Sequence, residues 1–362
     1  MWRPPEVRAE AARLLARFRD AGAQEVEADV LLPADTLLDL YGEDIRARAF
    51  TTADPLRGEQ MLRPDFTVPV VQMHMAEGAA PARYTYAGKV FRRQEEDPDR
   101  ETEYFQVGYE LFDGADPARS DAEVFALFAQ ALKGLPVRAA TGDMGLLTAA
   151  VAGLATTDRR KAALMRHIWR PARFRALLER YSGRAPVPPT RSALLARTGD
   201  PLQGAGKPIG LRGADEIRDR IAALREDAAE PPLSQDQTRL LSAILSLAAP
   251  SDRALEQLRD ITAEMPALGP ALTRFEARLD ALAARGIDAA TLDFAGSHGR
   301  ASMEYYDGFV FDFTAIDRPD LPPVATGGRY DALTGVLGQG RSIPAVGGVI
   351  RPGVTLRLRE GA

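Results

Sequence analysis

Two segments between residues 83 and 112 alternate with a period of two, and this pattern constrains the fold more than any other feature of the sequence. Alternate residues of the first segment share one face: Tyr84, Tyr86, Gly88, Val90 and Arg92. The same is true of the second: Tyr104, Gln106, Gly108 and Glu110. The charged loop between them predicts an antiparallel pair of strands.

The polar face of this pair has an unusual composition. An antiparallel pair with one apolar face normally turns charged and polar residues to water. Here the polar face carries glycines, where a ligand can approach the backbone, a carboxylate that suits an ammonium group, and an arginine that suits a carboxylate or phosphate. The face is either the floor of a binding site or a solvated surface with an ion pair, and the residues alone favour neither.

The rest of the chain divides into strand-rich ends and a helical middle. Apolar residues at helical spacing predict an amphipathic helix at residues 5–21 that packs one face on a sheet. Residues 144–285 are rich in Ala, Leu and Arg at helical spacing and are interrupted by proline and glycine runs. We therefore expect an α+β fold, with a core built from residues 1–143 and 286–362 around this mainly helical insertion.

A short turn and a third strand carry further polar residues. Residues 62–67 read Leu-Arg-Pro-Asp-Phe-Thr and place Asp65 two residues before Thr67. Such residues beside a proline are usually turn or capping residues. Residues 303–313 alternate as a strand, so Tyr305 and Tyr306 should point in opposite directions.

Three glycine-rich runs are interpreted from their spacing. Residues 327–331, Gly-Gly-Arg-Tyr-Asp, predict a tight turn leading into a helix at residues 332–337. Residues 204–208 and 338–340 lack the spacing of a phosphate-binding loop and are expected to be ordinary loops. Ser297 and His298 are adjacent and should face apart, so we expect no nucleophile with its base there.

Charge and rare residue types exclude several classes of protein. The 51 acidic and 46 basic residues give a net charge of −5, so there is no global positive field to gather nucleic acid or anionic lipid. There is no cysteine, and the three histidines are far apart, so neither disulfides nor a metal site is expected. No apolar run approaches the ~18 residues of a membrane helix, and no signal peptide is evident at the start. We expect a cytoplasmic protein without a cofactor.

Four segments in a fixed order indicate a family. They are residues 62–67; Val-Phe-Arg at 90–92 with Phe-Gln-Val-Gly-Tyr-Glu at 105–110; Glu-Tyr-Tyr-Asp-Gly at 304–308; and residues 327–331 followed by Pro-Ala-Val-Gly at 344–347. With these segments the chain resembles the class II catalytic core of the histidyl-tRNA synthetases over nearly its full length. It is most similar to their non-aminoacylating relatives, the regulatory subunits of ATP phosphoribosyltransferase.

The resemblance implies a fold and a ligand site. It implies a six-stranded antiparallel sheet flanked by helices, which dimerises through the N-terminal part of the core. It also implies a pocket for histidine. Its candidate residues are Asp65, Thr67, Arg92, Gln106, Glu110, Tyr305, Tyr306 and Tyr330.

Departures from the synthetase pattern argue against aminoacylation. Ala301 occupies the position of one arginine that would meet the phosphates of ATP; Arg300 is adjacent, but a shift of one residue on a strand reverses its face. Val354 occupies the position of a second arginine, and Gln94 replaces a glutamate. Losing one such charge-stabilising group costs on the order of 100-fold to 1,000-fold in rate. The chain ends soon after Val354, so we expect no anticodon-binding domain.

The resemblance therefore predicts a regulatory subunit without catalytic residues. It would assemble as a homodimer within a hetero-oligomer with the short-form catalytic subunit of ATP phosphoribosyltransferase, activate it in the first step of histidine biosynthesis, and mediate feedback by histidine. Two alternatives stay open. One is an active histidyl-tRNA synthetase or other amino-acid ligase, and the other is a dimeric scaffold without a pocket, in which the candidate residues are structural.

Overall fold

The computed structural model describes residues 4–41, 48–94, 100–206, 209–300 and 305–360. Within these ranges there are fourteen α-helices. They are α1 (Pro4–Asp20), α2 (Ala34–Tyr41), α3 (Thr67–Glu77), α4 (Pro117–Ala131), α5 (Met144–Ala152), α6 (Asp158–Arg166), α7 (Pro171–Tyr181), α8 (Pro189–Ala196), α9 (Ala214–Ala229), α10 (Gln235–Ser246), α11 (Ser251–Glu264), α12 (Gly269–Ala283), α13 (Asp331–Leu337) and α14 (Pro352–Glu360).

Twelve strands accompany these helices in the same ranges. They are β1 (Gln24–Glu25), β2 (Leu31–Pro33), β3 (Thr51–Asp54), β4 (Gly58–Leu62), β5 (Ala82–Phe91), β6 (Glu103–Phe112), β7 (Val137–Asp143), β8 (Ala248–Pro250), β9 (Asp293–Ala295), β10 (Phe309–Ala315), β11 (Ala325–Arg329) and β12 (Ala345–Ile350). None of the described helices is both long and apolar enough to cross a membrane.

Nine of the strands form one sheet in the order β1-β5-β6-β12-β11-β10-β7-β9-β8. Its six central strands, β5 to β7 in this order, pair antiparallel as expected. The expected sheet of six purely antiparallel strands is nevertheless corrected to a mixed sheet of nine, because β1 pairs parallel with β5 and β9 with β7. These added strands have two or three residues each, too few to show a period in the sequence.

The two faces of the sheet carry separate apolar clusters. On one face α1, α4 and α12 pack on an aromatic-rich layer, in which the ring of Phe18 lies 5.4 Å from that of Tyr109 and 5.3 Å from that of Phe128. This confirms the predicted amphipathic helix, whose bounds are Pro4–Asp20. The other face is covered by α3 and by helices of the chain's middle, and includes Tyr86, Tyr306 and Tyr330.

The β5–β6 hairpin pairs antiparallel as predicted. Tyr84 lies opposite Glu110, Tyr86 opposite Gly108, and Gly88 opposite Gln106, so the predicted polar face forms a continuous surface. Gly108 is required there because a Cβ atom would lie 2.1 Å from the Tyr86 ring. The absent side chain thus lets the tyrosine lie flat across the neighbouring strand.

Buried charges connect the helical middle of the chain to the sheet. Arg278 of α12 donates to Asp143 at the end of β7 over 2.6 Å and to Asp121 of α4 over 3.3 Å. Arg329 of β11 donates to Asp121 over 2.9 Å. Burial raises the pKa of Asp121, while the two guanidinium groups oppose that shift. The division of the chain at residues 143 and 285 stays a prediction.

Two local predictions are wrong. The glycines at 327 and 328 lie in strand β11 and form no turn; a Cβ at Gly327 would lie 2.3 Å from the Phe311 ring, so packing explains the residue type. The helix that follows is α13, as predicted. The strand expected at 303–313 begins only at Phe309, and the predicted positions 303 and 304 lie outside the described residues.

Candidate functional site

A cavity of about 510 Å³ opens on the sheet face that carries the polar residues of β6. Its size is within the range of about 300–1,000 Å³ that is usual for small-molecule sites. Six of the eight predicted site residues line it: Asp65, Thr67, Arg92, Gln106, Tyr305 and Tyr306. The other two, Glu110 and Tyr330, are not among its lining residues and lie buried beside it.

Gln106 is a buried residue of this cavity whose side-chain amide lacks hydrogen-bond partners among the described residues. Its side chain is 1% exposed, and neither its amide nitrogen nor its amide oxygen has a hydrogen-bond partner among the described residues. A buried amide without partners is costly, and native structures contain few of them. Gln106 thus offers one donor and one acceptor to a ligand in the cavity.

Asp65 and Thr67 stand where the chain enters α3, at the edge of the cavity. Both are buried, and the backbone N–H of Val68 donates to Asp65 Oδ1 over 3.3 Å. The turn formed by residues 62–67 therefore positions a carboxylate and a hydroxyl in one wall, and Asp65 also accepts a hydrogen bond from the first turn of α3. The turn thus combines a structural role with a place in the cavity.

Arg92 supplies a positive charge at the mouth of the β5–β6 hairpin. Its Nε donates to the carbonyl of Pro64 over 2.8 Å, and its backbone N–H donates to that of Thr102 over 2.8 Å. The arginine therefore connects the hairpin to the turn that carries Asp65. A guanidinium whose Nε is held by a backbone carbonyl in this way is suited to bind a carboxylate or a phosphate.

Glu110 is the centre of a buried hydrogen-bond cluster beneath the cavity. Its Oε1 accepts from Thr67 over 2.9 Å and from Tyr86 over 2.8 Å, and its Oε2 accepts from Tyr330 over 2.6 Å. Burial raises the pKa of Glu110 to about 7, although these three donors lower it. Glu110 is therefore positioned to orient Thr67, and the ammonium-binding role expected for it is not evident from this geometry.

Tyr305 and Tyr306 both line the cavity, which corrects the prediction that they point in opposite directions. Their rings lie 5.0 Å apart in an edge-to-face arrangement at 75°. They precede the strand, so strand alternation does not apply to them. The segment is anchored by Asp307, whose carboxylate accepts from the backbone N–H groups of Asp331 and Ala332 at the start of α13. Burial raises the pKa of Asp307 to about 6.

The far end of the cavity carries charged residues that the sequence motifs do not indicate. His298 Nε2 lies 3.4 Å from Asp312 Oδ2, and Arg351 lies beside them. Burial lowers the pKa of Arg351, and Arg92 adds to that effect. The sequence feature that could have indicated Asp312 is its place on the same face as Val310 in the predicted strand at residues 303–313. Ser297 and His298 both line the cavity, but no base–nucleophile pairing between them is present.

Neither Arg300 nor Val354 supplies a positive charge to the cavity. Arg300 turns away from it: its Nε donates to the carbonyl of Ile168 over 2.7 Å, and its guanidinium lies 4.8 Å above the Phe174 ring. Val354 is buried in the core on the opposite face of the sheet. Ala301 lies outside the described residues. Among the described residues, no group of three or more acidic or histidine side chains could hold a metal ion.

Comparisons with known proteins agree with this architecture. The family described as histidyl-tRNA synthetase matches residues 4–204 and 215–352. The ATP phosphoribosyltransferase regulatory subunits of Brucella ovis and Brucella canis are each 32% identical over 344 residues, covering 90% of this chain and 90% of each relative.

Solved structures share the fold. An ATP phosphoribosyltransferase regulatory subunit/histidyl-tRNA synthetase from Bacillus halodurans superposes with a TM-score of 0.68 at 21% identity, covering 98% of this chain and 79% of that one. A histidine–tRNA ligase subunit from Alicyclobacillus acidocaldarius gives 0.61 at 22% identity, with 100% and 95% covered. The chain therefore belongs to the histidyl-tRNA synthetase family, within its group of ATP phosphoribosyltransferase regulatory subunits.

Proposed function

We propose that this protein is a non-catalytic regulatory subunit that binds histidine in the cavity between β6 and the Tyr305–Tyr306 segment. It activates the short-form catalytic subunit of ATP phosphoribosyltransferase in the cytoplasm, as a homodimer within a hetero-oligomer, and conveys feedback inhibition by histidine. The names of its relatives support the regulatory role in histidine biosynthesis. Feedback requires histidine to bind two states of the complex with different affinity.

The observation that carries the histidine assignment is the unpaired amide of Gln106 in a cavity that also contains both signs of charge. A free amino acid presents an ammonium and a carboxylate on one carbon. Asp65 and the Gln106 oxygen suit the ammonium, while Arg92 suits the carboxylate. The edges of Tyr305 and Tyr306 suit a flat, partly apolar ring.

The positive charges around the cavity support the proposed loss of catalysis. Forming an aminoacyl-adenylate places negative charge on phosphates, which fixed positive groups must meet. Arg300 is held by Ile168 and Phe174, and Val354 carries no charge. Among the described residues that line the cavity, Arg92 and Arg351 are the arginines, and neither occupies position 301 or 354, where the synthetase pattern has its two arginines.

Calorimetric titration with histidine tests the binding proposal. We expect saturable binding to the intact protein and at least a tenfold loss of affinity in Gln106→Leu, which keeps the volume but removes both polar atoms. Gln94→Leu is the matched control, because Gln94 Nε2 bonds the backbone of Glu101. Histidinol, which has no carboxylate, should bind weakly. No heat signal with histidine, alone or with the catalytic subunit, would overturn the sensor role.

One observation favours the alternative of an active ligase, namely the cation Arg351 in the cavity. Histidine-dependent exchange between ATP and pyrophosphate separates the two functions, and we expect none. Exchange above background that is abolished by Arg351→Ala would establish the ligase.

The third possibility, a scaffold without a pocket, makes a different prediction. Histidine inhibition of the assembled enzyme would then be the same with the intact protein and with Gln106→Leu. We expect instead that the variant still activates the catalytic subunit and that the inhibition is lost.

A further inference from the structure

The corner between α6 and α7 concentrates positive charge in an otherwise acidic protein. Residues 158–184 contain nine basic and two acidic residues, whereas the whole chain has a net charge of −5. Arginine is abundant over the whole chain, but elsewhere acidic residues outnumber the basic ones. The excess of positive charge in residues 158–184 is therefore not explained by the overall arginine content. It produces a positive field confined to one part of the surface.

Part of this charge is used within the fold. Arg160 is buried, and its Nε donates to Asp227 of α9 over 2.7 Å. Arg180 also contacts Asp227, and Arg184 pairs with Glu179. Through Asp227, Arg160 and Arg180 hold α6, α7 and α9 together, while the Arg184–Glu179 pair is local to the end of α7, so all three arginines are explained by the structure of the helical region.

Three other arginines of this segment are not explained by contacts within the helical region. Arg166, Arg173 and Arg175 are exposed, and none of them forms a salt bridge with any residue that the structure describes. With Arg170 they form what we call the basic corner. Burial, together with the charges of Arg170, Arg173 and Arg166, lowers the pKa of His167 in the turn between α6 and α7.

The basic corner is connected to the cavity side of the sheet through one apolar cluster. Arg300 donates to Ile168, in the turn between α6 and α7, and its guanidinium lies above Phe174 of α7. Phe174 belongs to the same apolar cluster as Tyr306 and Tyr330. Arg300 is also five residues before Tyr305 in the chain. A partner bound at the corner would therefore contact α7, whose Phe174 shares an apolar cluster with Tyr306 of the cavity wall.

We propose that the basic corner is the docking surface for an acidic face of the catalytic subunit, an inference that rests on the proposed function. The three exposed arginines of the corner, Arg166, Arg173 and Arg175, can speed the encounter with an acidic surface and form bidentate contacts with carboxylates. A protein surface is favoured over nucleic acid because the chain outside residues 158–184 is acidic and would repel an extended polyanion.

The test is a triple charge reversal, Arg166→Glu with Arg173→Glu and Arg175→Glu. These side chains are exposed and form no salt bridge with the described residues, so the variant should melt within a few degrees of the wild-type temperature. We expect its affinity for the purified catalytic subunit, measured by interferometry in dilute salt, to fall by about 30-fold or more and to lose most of its salt dependence. The triple change to Gln should give an intermediate loss.

The control reverses three exposed arginines elsewhere that form no salt bridge with the described residues, namely Arg8, Arg119 and Arg274. Its affinity should stay within about threefold of wild type. Unchanged binding by the corner variant overturns the docking surface and leaves the proposed function intact. Absence of wild-type binding overturns both. RNA binding that only the corner variant loses, with the subunit still bound, would overturn the protein-docking inference.

Discussion

Replacing Glu110 by Gln should change how the stability of this protein depends on pH. Glu110 is fully buried and accepts hydrogen bonds from three hydroxyl groups, without a salt bridge to any described residue. Burial raises its pKa from the ordinary 4.5 to about 7. The folded protein therefore holds this proton at pH values where the unfolded chain has released it.

The sign follows from proton linkage. Because the folded state binds more protons between pH 4.5 and 7, its free energy of unfolding falls as the pH rises through that window. A shift of about 2.5 pH units at about 1.36 kcal/mol each corresponds to about 3 kcal/mol, most of it lost between about pH 5 and pH 8. Glu110→Gln is uncharged at every pH, so its stability relative to wild type should increase by about that amount as the pH rises.

Urea unfolding at several pH values between about 5 and 8 measures this difference. The matched control is Glu103→Gln, on the same strand, because Glu103 is exposed and paired with Lys89. The control should follow the wild-type pH profile. The explanation is refuted if the profiles of wild type and Glu110→Gln are parallel, because the Glu110 proton would then be bound equally in both states.

Three further changes have expected outcomes. Asp121→Ala should lower the free energy of unfolding by about 3–5 kcal/mol in urea, since it leaves two buried guanidinium groups short of a partner. Gly347→Ala should destabilise by about 1–3 kcal/mol, because its Cβ would lie 1.6 Å from Glu110 Oε2; a wild-type melting temperature would contradict this packing. Asp307→Asn should weaken histidine binding several-fold by calorimetry through loss of the anchor of Tyr306, with little effect if that segment is held otherwise.

The local pattern of the sequence is sufficient for the β5–β6 hairpin and for α1. Both depend on periodicity and on contacts between residues close in the chain. Alternation alone assigns Gly88 to one face of β5 and Gln106 to one face of β6, and the two residues are paired across the hairpin. The four family segments also identify six residues that line the cavity.

Long-range packing accounts for the features that the sequence pattern does not predict. A glycine can be needed either for backbone freedom in a turn or for space beside a bulky neighbour, and the sequence alone does not tell the two apart. Gly327 is therefore predicted to lie in a turn, whereas the ring of Phe311 on the next strand is what requires it. The burial of Glu110 depends on Tyr330, and the entry of Arg351 into the cavity depends on the pairing of β12 with β6. Neither relation leaves a local pattern.

The Glu110–Tyr330 hydrogen bond joins residues 220 positions apart, and the cavity has walls from both ends of that span. No fragment shorter than this can present a complete pocket. Closing such a long loop is slow and entropically costly, so the site should form among the last events of folding. Recovery of ligand binding during refolding would then lag behind recovery of helical signal, and a metabolite would serve as a reporter of complete chain assembly.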